Sequence, residues 1–483
     1  MDFERNRLVL LPFTVMMGLL QVLTPCHCQE WTWLAGDKIT DQLSTQDYPG
    51  GRSGSSVWSF NGTVWMFGGN GFSDVGSGQS HLLNDVWSFH IGTRQFKLHN
   101  PGTWSSRSDR MQTTGVPSGR QHAAMCGQSD ELFVFGGFGE SGSSLGDLWS
   151  YNTSSGGWVT LASHGPAARS HSSVWCYGSS MFLFGGRNDR GDVFSDMWRL
   201  NLSSPTWEQL HDGKDSKKVT CMSYPGGRNR ATTWVSGNTL YMFGGSTDPE
   251  FSYALHHTAS LTSDLWRYHP KNNTWQFVID VTSANQNSGH DMDEDTTYSN
   301  VPGARVGAAS WTDVSGSLWL FGGLGIHRSD SELNSSRLLS DMWRFDLDDQ
   351  SWEYIDGSES ADVAGSYGQL GKAAETNTPG ARTEMMAWAG GANLIYIFGG
   401  LGLDEHYFGG FMNDLWSVDI SSAISREFMI TPAILFSFFG VTSSVLVAIL
   451  VLSLYSRQNK QKQTVRLELR LIPEYSRLES DVT

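Results

Sequence analysis

The sequence predicts an all-β fold built from six similar units, and three periodic signals support this prediction. A Phe-Gly-Gly string occurs six times, an arginine precedes each phenylalanine by 15 or 16 residues, and an Asp-apolar-Trp string follows each copy. Self-similarity of this kind is typical of repeat architectures, in which each repeat forms one structural unit. The arginines are Arg52, Arg120, Arg169, Arg228, Arg305 and Arg382.

Each repeat contains the signals of four β-strands. In the first repeat, residues 56–60 alternate between polar and apolar side chains, Asn61-Gly62 follows, and residues 64–67 are apolar. Alternation interrupted by Asn-Gly predicts a β-hairpin. The diglycine ends the second strand, where a side chain would obstruct a close approach of the backbone. The Asp-apolar-Trp string marks a third strand, and an aromatic residue seven positions after the last aromatic of that strand marks a fourth. Four antiparallel strands per repeat predict the blade of a β-propeller.

These marks resemble the kelch repeat, whose signature is a diglycine and a spaced pair of aromatic residues. The resemblance covers about residues 31–421 and implies a six-bladed kelch-type β-propeller. The sixth repeat ends near residue 420 without a fourth strand, whereas residues 31–34 match the fourth strand at residues 158–161. We therefore expect the N-terminal strand to close the propeller by completing the last blade, which removes exposed sheet edges.

Two apolar runs outside the repeats predict how the chain is placed in the cell. Arg5 and Arg7 precede an apolar run at residues 8–23, and small residues follow, which is typical of a secretory signal peptide; an uncleaved anchor is the alternative. The run at residues 429–455 carries no charge, is long enough to span a bilayer and is followed by basic residues, so the tail is expected to be cytoplasmic. The predicted order is signal peptide 1–28, propeller 29–421, linker 422–428, transmembrane helix 429–455 and cytoplasmic tail 456–483. We expect a single-pass protein of the plasma or endosomal membrane with its N-terminus extracellular or lumenal.

Five Asn-x-Ser/Thr sequons lie in the predicted lumenal part and indicate a glycoprotein: Asn61, Asn152, Asn201, Asn272 and Asn334. The first four lie in turns between first and second or third and fourth strands, which open on one side of a propeller. The chain leaves its last third strand on this same side, so we expect that side to face the bilayer. The opposite side carries the long loops, and we expect it to be the ligand face.

Three cysteines remain after the predicted signal peptide, so at least one thiol has no partner within the chain. Cys126 and Cys176 lie near the same end of first strands in adjacent repeats, and a disulfide between them is left open because sequence does not give a Cα separation. Cys221 lies in a loop on the ligand face. The net charge of −16 argues against nucleic acid as a partner.

One long loop carries an acidic cluster next to His290, formed by Asp291, Asp293, Glu294 and Asp295. These carboxylates could hold Ca²⁺, but they lack the regular spacing of a dedicated calcium loop. We favour a solvated acidic loop. No cofactor or metal is predicted.

The six arginines are candidates for the ligand face, because arginine clusters bind acidic partners. The alternative, favoured by their regularity, is that each supports its own loop through the aspartate of its repeat: Asp85, Asp147, Asp196, Asp264, Asp341 or Asp414. The residues two positions after the arginines vary, and they are the better candidates for specificity: Gly54, His122, His171, Arg230, Gly307 and Glu384. His122 and His171 also resemble a structural histidine of kelch repeats.

Three functions remain open from the sequence. The favoured one is a cell-surface protein whose propeller binds an extracellular protein partner; a lectin-like receptor for glycans is the alternative. An enzyme of the galactose-oxidase or sialidase type is disfavoured, because their motifs are not found and no catalytic constellation stands out. In the tail, Tyr475 and Leu478 fit a tyrosine-based endocytic signal, which implies an endocytic adaptor as a further partner.

Overall fold

The computed structural model describes residues 29–73, 79–102, 115–162, 164–214, 224–248, 260–279, 301–326, 336–358, 360–391 and 393–424. The prediction of an all-β fold is confirmed, because these residues form antiparallel sheets, and a helical turn follows at residues 421–424. None of the described helical residues forms a helix long and apolar enough to cross a membrane. The predicted signal peptide 1–28 and membrane span 429–455 lie outside the described residues. All strands belong to the first of two compact units, Met1–Ser421.

The first three sheets follow an N-terminal strand β1 at Trp31–Ala35, and each corresponds to one sequence repeat. Sheet 1 contains β2 Arg52–Ser53, β3 Ser56–Phe60, β4 Thr63–Gly71, β5 His81–His90 and β6 Gln95–Asn100. Sheet 2 contains β7 Arg120–Gln121, β8 Ala124–Gln128, β9 Glu131–Gly139, β10 Ser144–Asn152 and β11 Gly157–Leu161. Sheet 3 contains β12 Ser173–Tyr177, β13 Ser180–Phe184, β14 Met197–Asn201 and β15 Thr206–His211.

The last three repeats form sheets of the same plan. Sheet 4 contains β16 Thr232–Ser236, β17 Thr239–Phe243, β18 Leu265–His269 and β19 Thr274–Ile279. Sheet 5 contains β20 Arg305–Val306, β21 Ala309–Thr312, β22 Leu318–Gly325, β23 Arg337–Asp346 and β24 Ser351–Asp356. The sixth repeat contains β25 Ala373–Ala374, β26 Arg382–Thr383, β27 Met386–Ala389, β28 Leu394–Phe398, β29 Leu401–Leu403, β30 Gly409–Phe411 and β31 Leu415–Asp419. It differs from the other repeats in that β26, β29 and β30 form a separate three-stranded sheet, while β25, β27, β28 and β31 belong to sheet 6.

Sheet 6 is completed by the beginning of the chain. Strand β1 pairs with β31, so that Trp33 lies opposite Trp416, and β28 and β27 continue the sheet on the far side of β31. On its other side β1 pairs with β25, which belongs to the connection between sheets 5 and 6. The N-terminal strand therefore has a hydrogen-bonded neighbour on both edges, and it occupies the position of a fourth strand.

The diglycines bring the backbones of neighbouring repeats together. Gly68 and Gly69 have φ angles of +64° and +101°, which favour glycine, and the pairing of β4 with β5 shifts register between Phe67 and Gly69. A Cβ added to Gly68 would lie 2.7 Å from the carbonyl oxygen of Arg120 in the next repeat. This contact confirms that a side chain at this position would obstruct the backbone.

The apolar core lies between the sheets, as expected for the repeated aromatic positions. Separate clusters of buried side chains join sheet 1 to sheet 2, sheet 2 to sheet 3, sheet 3 to sheet 4 and sheet 4 to sheet 5. Trp31 of sheet 6 packs on Phe321 of sheet 5 with ring centroids 5.3 Å apart. A further cluster joins Trp388 and Phe398 of sheet 6 to Trp87 of sheet 1. Apolar contacts therefore join each pair of consecutive sheets, and they also join sheet 6 to sheet 1.

Candidate functional site

The same polar module recurs in all six sheets. In each repeat both terminal nitrogens of the arginine donate to the two carboxylate oxygens of the aspartate, at 2.6 to 2.9 Å. The tryptophan two residues after the aspartate donates its indole N–H to the same carboxylate at 2.5 to 2.7 Å. The arginine also donates to the carbonyl of the first glycine of the diglycine, as Arg382 does to Gly399 at 3.1 Å. The three periodic signals of the sequence therefore belong to one hydrogen-bonded structure.

Burial makes this module structural. The six arginine residues are at most 3% exposed. Their proposed place on a ligand face is therefore wrong. The interpretation favoured by their regularity, in which each arginine supports its own repeat, agrees with the structure. Burial raises the pKa of Asp264, but the charge and hydrogen bonds of Arg228 and the indole of Trp266 outweigh it and hold the pKa below its usual value. Arg228 and Asp264 therefore form a buried ion pair, and removal of either partner is expected to lower the stability of the fold.

The six residues two positions after the arginines form a ring, which we call the axial ring: Gly54, His122, His171, Arg230, Gly307 and Glu384. Each backbone N–H donates to the carbonyl of the axial residue in the preceding sheet, and Gly54 N–H donates to Glu384 O at 3.2 Å. The six hydrogen bonds, of 2.8 to 3.2 Å, therefore form a closed cycle through the six residues. The structure brings together all six specificity candidates.

All six backbones of the axial ring have positive φ angles, between +54° and +64°. This left-handed conformation is uncommon for residues other than glycine, and such strain occurs often at functional sites. The four non-glycine residues are held in it by the ring of hydrogen bonds. The two glycines leave room for neighbouring side chains, since a Cβ on Gly54 would lie 2.6 Å from the imidazole of His122.

Four charged or titratable side chains of the axial ring contact one another. Glu384 accepts from Nε of Arg230 at 3.2 Å through Oε1, and its Oε2 lies 3.0 Å from Nε2 of His122. The imidazoles of His122 and His171 stack with centroids 3.8 Å apart. We call His122, His171, Arg230 and Glu384 the axial cluster. Residues from four different sheets meet in it.

His171 is the member of the axial cluster with an incomplete set of partners. Its Nδ1 lies 2.9 Å from the hydroxyl of Ser170, whereas its buried Nε2 has no hydrogen-bond partner within the described part of the chain. Burial, followed by the charges of Arg230, His122 and Arg187, lowers the pKa of His171 well below its usual value. The imidazole is therefore neutral at physiological pH, and its Nε2 is available to a further partner.

A second feature lies at the same end of the sheets as the axial ring. The connection before sheet 1 contacts the β29–β30 hairpin, because Asp41 N–H donates to Phe411 O and Phe411 N–H donates to Asp41 Oδ1, both at 2.8 Å. These two segments expose four large apolar side chains, which we call the rim patch: Ile39 at 41%, Leu43 at 50%, Tyr407 at 65% and Phe408 at 67%. Exposed apolar side chains on two segments in contact make this surface a candidate interaction surface.

The hairpin tip that carries Tyr407 and Phe408 is ordered by Asp404. This side chain is buried, and its Oδ1 accepts from the N–H groups of His406 and Phe408 at 2.8 and 2.9 Å. The backbone of Asp404 also donates to Phe408 O at 3.0 Å. Two exposed aromatic side chains therefore stand on a preorganised turn.

Sequence reasoning assigned aromatic residues mainly to the core and missed the rim patch. Tyr407-Phe408 interrupts the sixth repeat between its diglycine and its Asp-apolar-Trp string, a position that predicts a loop. An aromatic pair in that loop is the signal that could have identified the patch.

The structure joins Cys126 and Cys176 by a disulfide between adjacent sheets, with Cα atoms 5.6 Å apart. Asn61, Asn201 and Asn272 are exposed and Asn152 is half-buried, and all four lie in or beside turns between consecutive strands. Glycosylation at these sites remains a prediction.

Several predicted features lie outside the described residues: Cys221, Asn334, the acidic cluster with His290, and Tyr475 with Leu478.

Residues 99–292 match the model described as the KLHDC2/KLHL20/DRC7 Kelch-repeats domain. The matched range contains all of sheets 2, 3 and 4, together with His122, His171 and Arg230 of the axial ring.

Proposed function

We propose that this chain, whose residues 99–292 match a kelch-repeat model, forms a closed six-bladed propeller that binds a protein partner. Kelch domains generally mediate protein–protein interaction. We further propose which end of the propeller binds the partner and in which cellular compartment the partner is bound.

Closure of the propeller is supported by three independent contacts between sheet 6 and its neighbours. Strand β1 completes sheet 6, an apolar cluster joins sheet 6 to sheet 1, and the axial ring ends with a hydrogen bond from sheet 1 to sheet 6. A propeller with these contacts has no open flank between its first and last blades.

The rim patch is the observation that carries the binding proposal. Tyr407 and Phe408 are the two large apolar residues exposed on one short turn, at 65% and 67%, and Asp404 holds that turn in place. Aromatic anchors dominate the binding energy of many interfaces, and a preordered turn loses little conformational freedom when it binds. The patch lies at the end of the sheets that the sequence predicts to be the ligand face.

The proposed location is the plasma or endosomal membrane, with the kelch unit outside the cytoplasm. The signal-like run at residues 8–23, the uncharged run at residues 429–455 and the sequons support it. The proposed role is binding and not catalysis.

Proximity labelling by the full-length protein on cells tests the proposal. The double substitution Tyr407→Ser and Phe408→Ser is expected to reduce labelling of a wild-type partner about tenfold or more, because loss of a hot spot typically costs about 2 kcal/mol or more. Val314→Ser is the matched control, since Val314 is 68% exposed but lies in the turn between β21 and β22, at the opposite end of the sheets. Equal loss in both variants, or no loss in the double variant at wild-type surface level, would contradict the assignment of this face.

A lectin-like receptor remains the second candidate, because exposed aromatic rings also bind sugars. A glycan array probed with the purified protein distinguishes the two functions. A clear preference for one sugar structure that the double substitution abolishes would favour the lectin, whereas no retained glycan favours the protein partner.

A further inference from the structure

We infer that the axial cluster is a binding site for a divalent transition metal of the zinc type, with His122, His171 and Glu384 as its protein ligands. One donor atom from each of these three residues lies within 4.8 Å of the other two. Two imidazoles and one carboxylate form the donor set of many open zinc sites, and the softer nitrogen donors disfavour calcium and magnesium. This inference does not depend on the proposed partner or on the rim patch.

The unsatisfied nitrogen of His171 is the observation that points to a ligand. The residue is 5% exposed, and among the described residues its buried Nε2 has no hydrogen-bond partner, which is costly unless another group occupies that position. The hydroxyl of Ser170 lies 2.9 Å from Nδ1 and can accept its proton. Metal-bound histidines are commonly oriented in this way, with the second nitrogen donating to a fixed acceptor.

His122 and Glu384 supply the other two donors. Their Nε2 and Oε2 atoms lie 3.0 Å apart, which is close to the separation of two ligands on one tetrahedral zinc ion. A bound ion would replace the proton that these two atoms share and would lie to one side of the line between them. Arg230 contacts Oε1 of Glu384, so that Oε2 remains the oxygen directed toward the histidines. His122 keeps about 12% of its side chain exposed and gives the ion a route from solvent.

Binding requires a small rearrangement of the stacked imidazoles. An ion lies in the plane of each imidazole that binds it, and the two rings are stacked with an interplanar angle of 26°. The ring of His122 must therefore turn out of the stack when the ion enters. The axial backbones do not need to move, because their hydrogen bonds involve no side-chain atoms.

Metal content of the full-length protein tests the inference directly. After treatment with EDTA and equilibration with Zn²⁺, the desalted protein is expected to retain one zinc ion per chain. His171→Gln and Glu384→Gln are expected to weaken zinc binding at least tenfold, while His164→Gln, an exposed histidine, is the control and should leave it unchanged. Zinc retention that is equal in wild type and His171→Gln would overturn the inference.

Two further measurements keep the test valid if a substitution prevents folding. The wild-type protein alone should give a saturable visible absorption spectrum with one equivalent of Co²⁺, and a protein without that spectrum would refute the site. In Arg230→Gln the side-chain amide can still donate to Oε1 of Glu384, so removal of the positive charge that opposes the ion should tighten zinc binding about tenfold. A purely structural cluster predicts no gain in this variant, so weaker or unchanged binding would also contradict the site.

Discussion

Substitution of Trp31 by alanine is expected to lower the free energy of unfolding by about 4 kcal/mol. Trp31 is 2% exposed, lies in the N-terminal strand β1 and packs against Phe321 of sheet 5. A buried tryptophan removes about 150 to 250 Å² from water, which at about 25 cal/mol per Å² corresponds to about 4 to 6 kcal/mol. Truncation of buried tryptophan to alanine typically costs about 3 to 5 kcal/mol, and the two figures overlap near 4.

The assay is urea-induced unfolding of the full-length protein followed by far-ultraviolet circular dichroism. Val159→Ala is the matched control, because Val159 lies in β11, a fourth strand of another sheet, with 56% of its surface exposed. We expect this control to change the free energy of unfolding by less than about 0.5 kcal/mol. If Trp31→Ala is no more destabilising than Val159→Ala, the N-terminal strand does not support the fold as described.

Two further outcomes concern the covalent and ionic contacts between strands. Replacing Cys126 and Cys176 by serine should lower the free energy of unfolding by about 2 to 4 kcal/mol, since the disulfide closes a loop of 50 residues, and a reducing agent should have the same effect on the wild type. A wild type insensitive to reduction in denaturation curves would contradict this. The folded-state pKa of Asp264 is depressed, so its stabilising contribution is present above the ordinary value of 3.8 and is lost as pH falls below that value through the folded pKa. The Asp264→Asn variant should therefore be less stable than the wild type near pH 7 and should lose less stability below pH 4. If its free energy of unfolding falls below pH 4 as steeply as that of the wild type, the result would argue against the Asp264–Arg228 ion pair.

The regular part of the fold was predictable because the same residues occur at the same spacing in all six repeats. An arginine, a diglycine and an Asp-apolar-Trp string at constant spacing predict one hydrogen-bonded module, and the structure contains it in every sheet. The match between residues 31–34 and a fourth strand identified the pairing partner of β31 in the same way. Periodic positions report the contacts that all repeats share.

The candidate functional features were harder to predict because they depend on what differs between repeats. The pairing of β25 with β1 involves only Ala373 and Ala374, which show no alternation that would mark a strand. The residues of the axial ring were singled out by their variation, but a sequence does not report positive φ angles at His122 and His171. Side chains that are distant in sequence meet at the axis only after the six sheets are arranged, so their contacts required coordinates.

The position of β1 has a consequence for how this protein is made. Trp33 and its partner Trp416 are roughly 380 residues apart, so the first strand to leave the ribosome must wait for the last one. At about 5 to 20 residues per second, this delay is about 20 to 80 s. During that time an aromatic segment lacks its main strand partner, although Phe321 and β25 are made earlier, and it is a natural substrate for chaperones. Nascent chains truncated before residue 415 should therefore be retained by the quality-control machinery, whereas those that include β31 can be released.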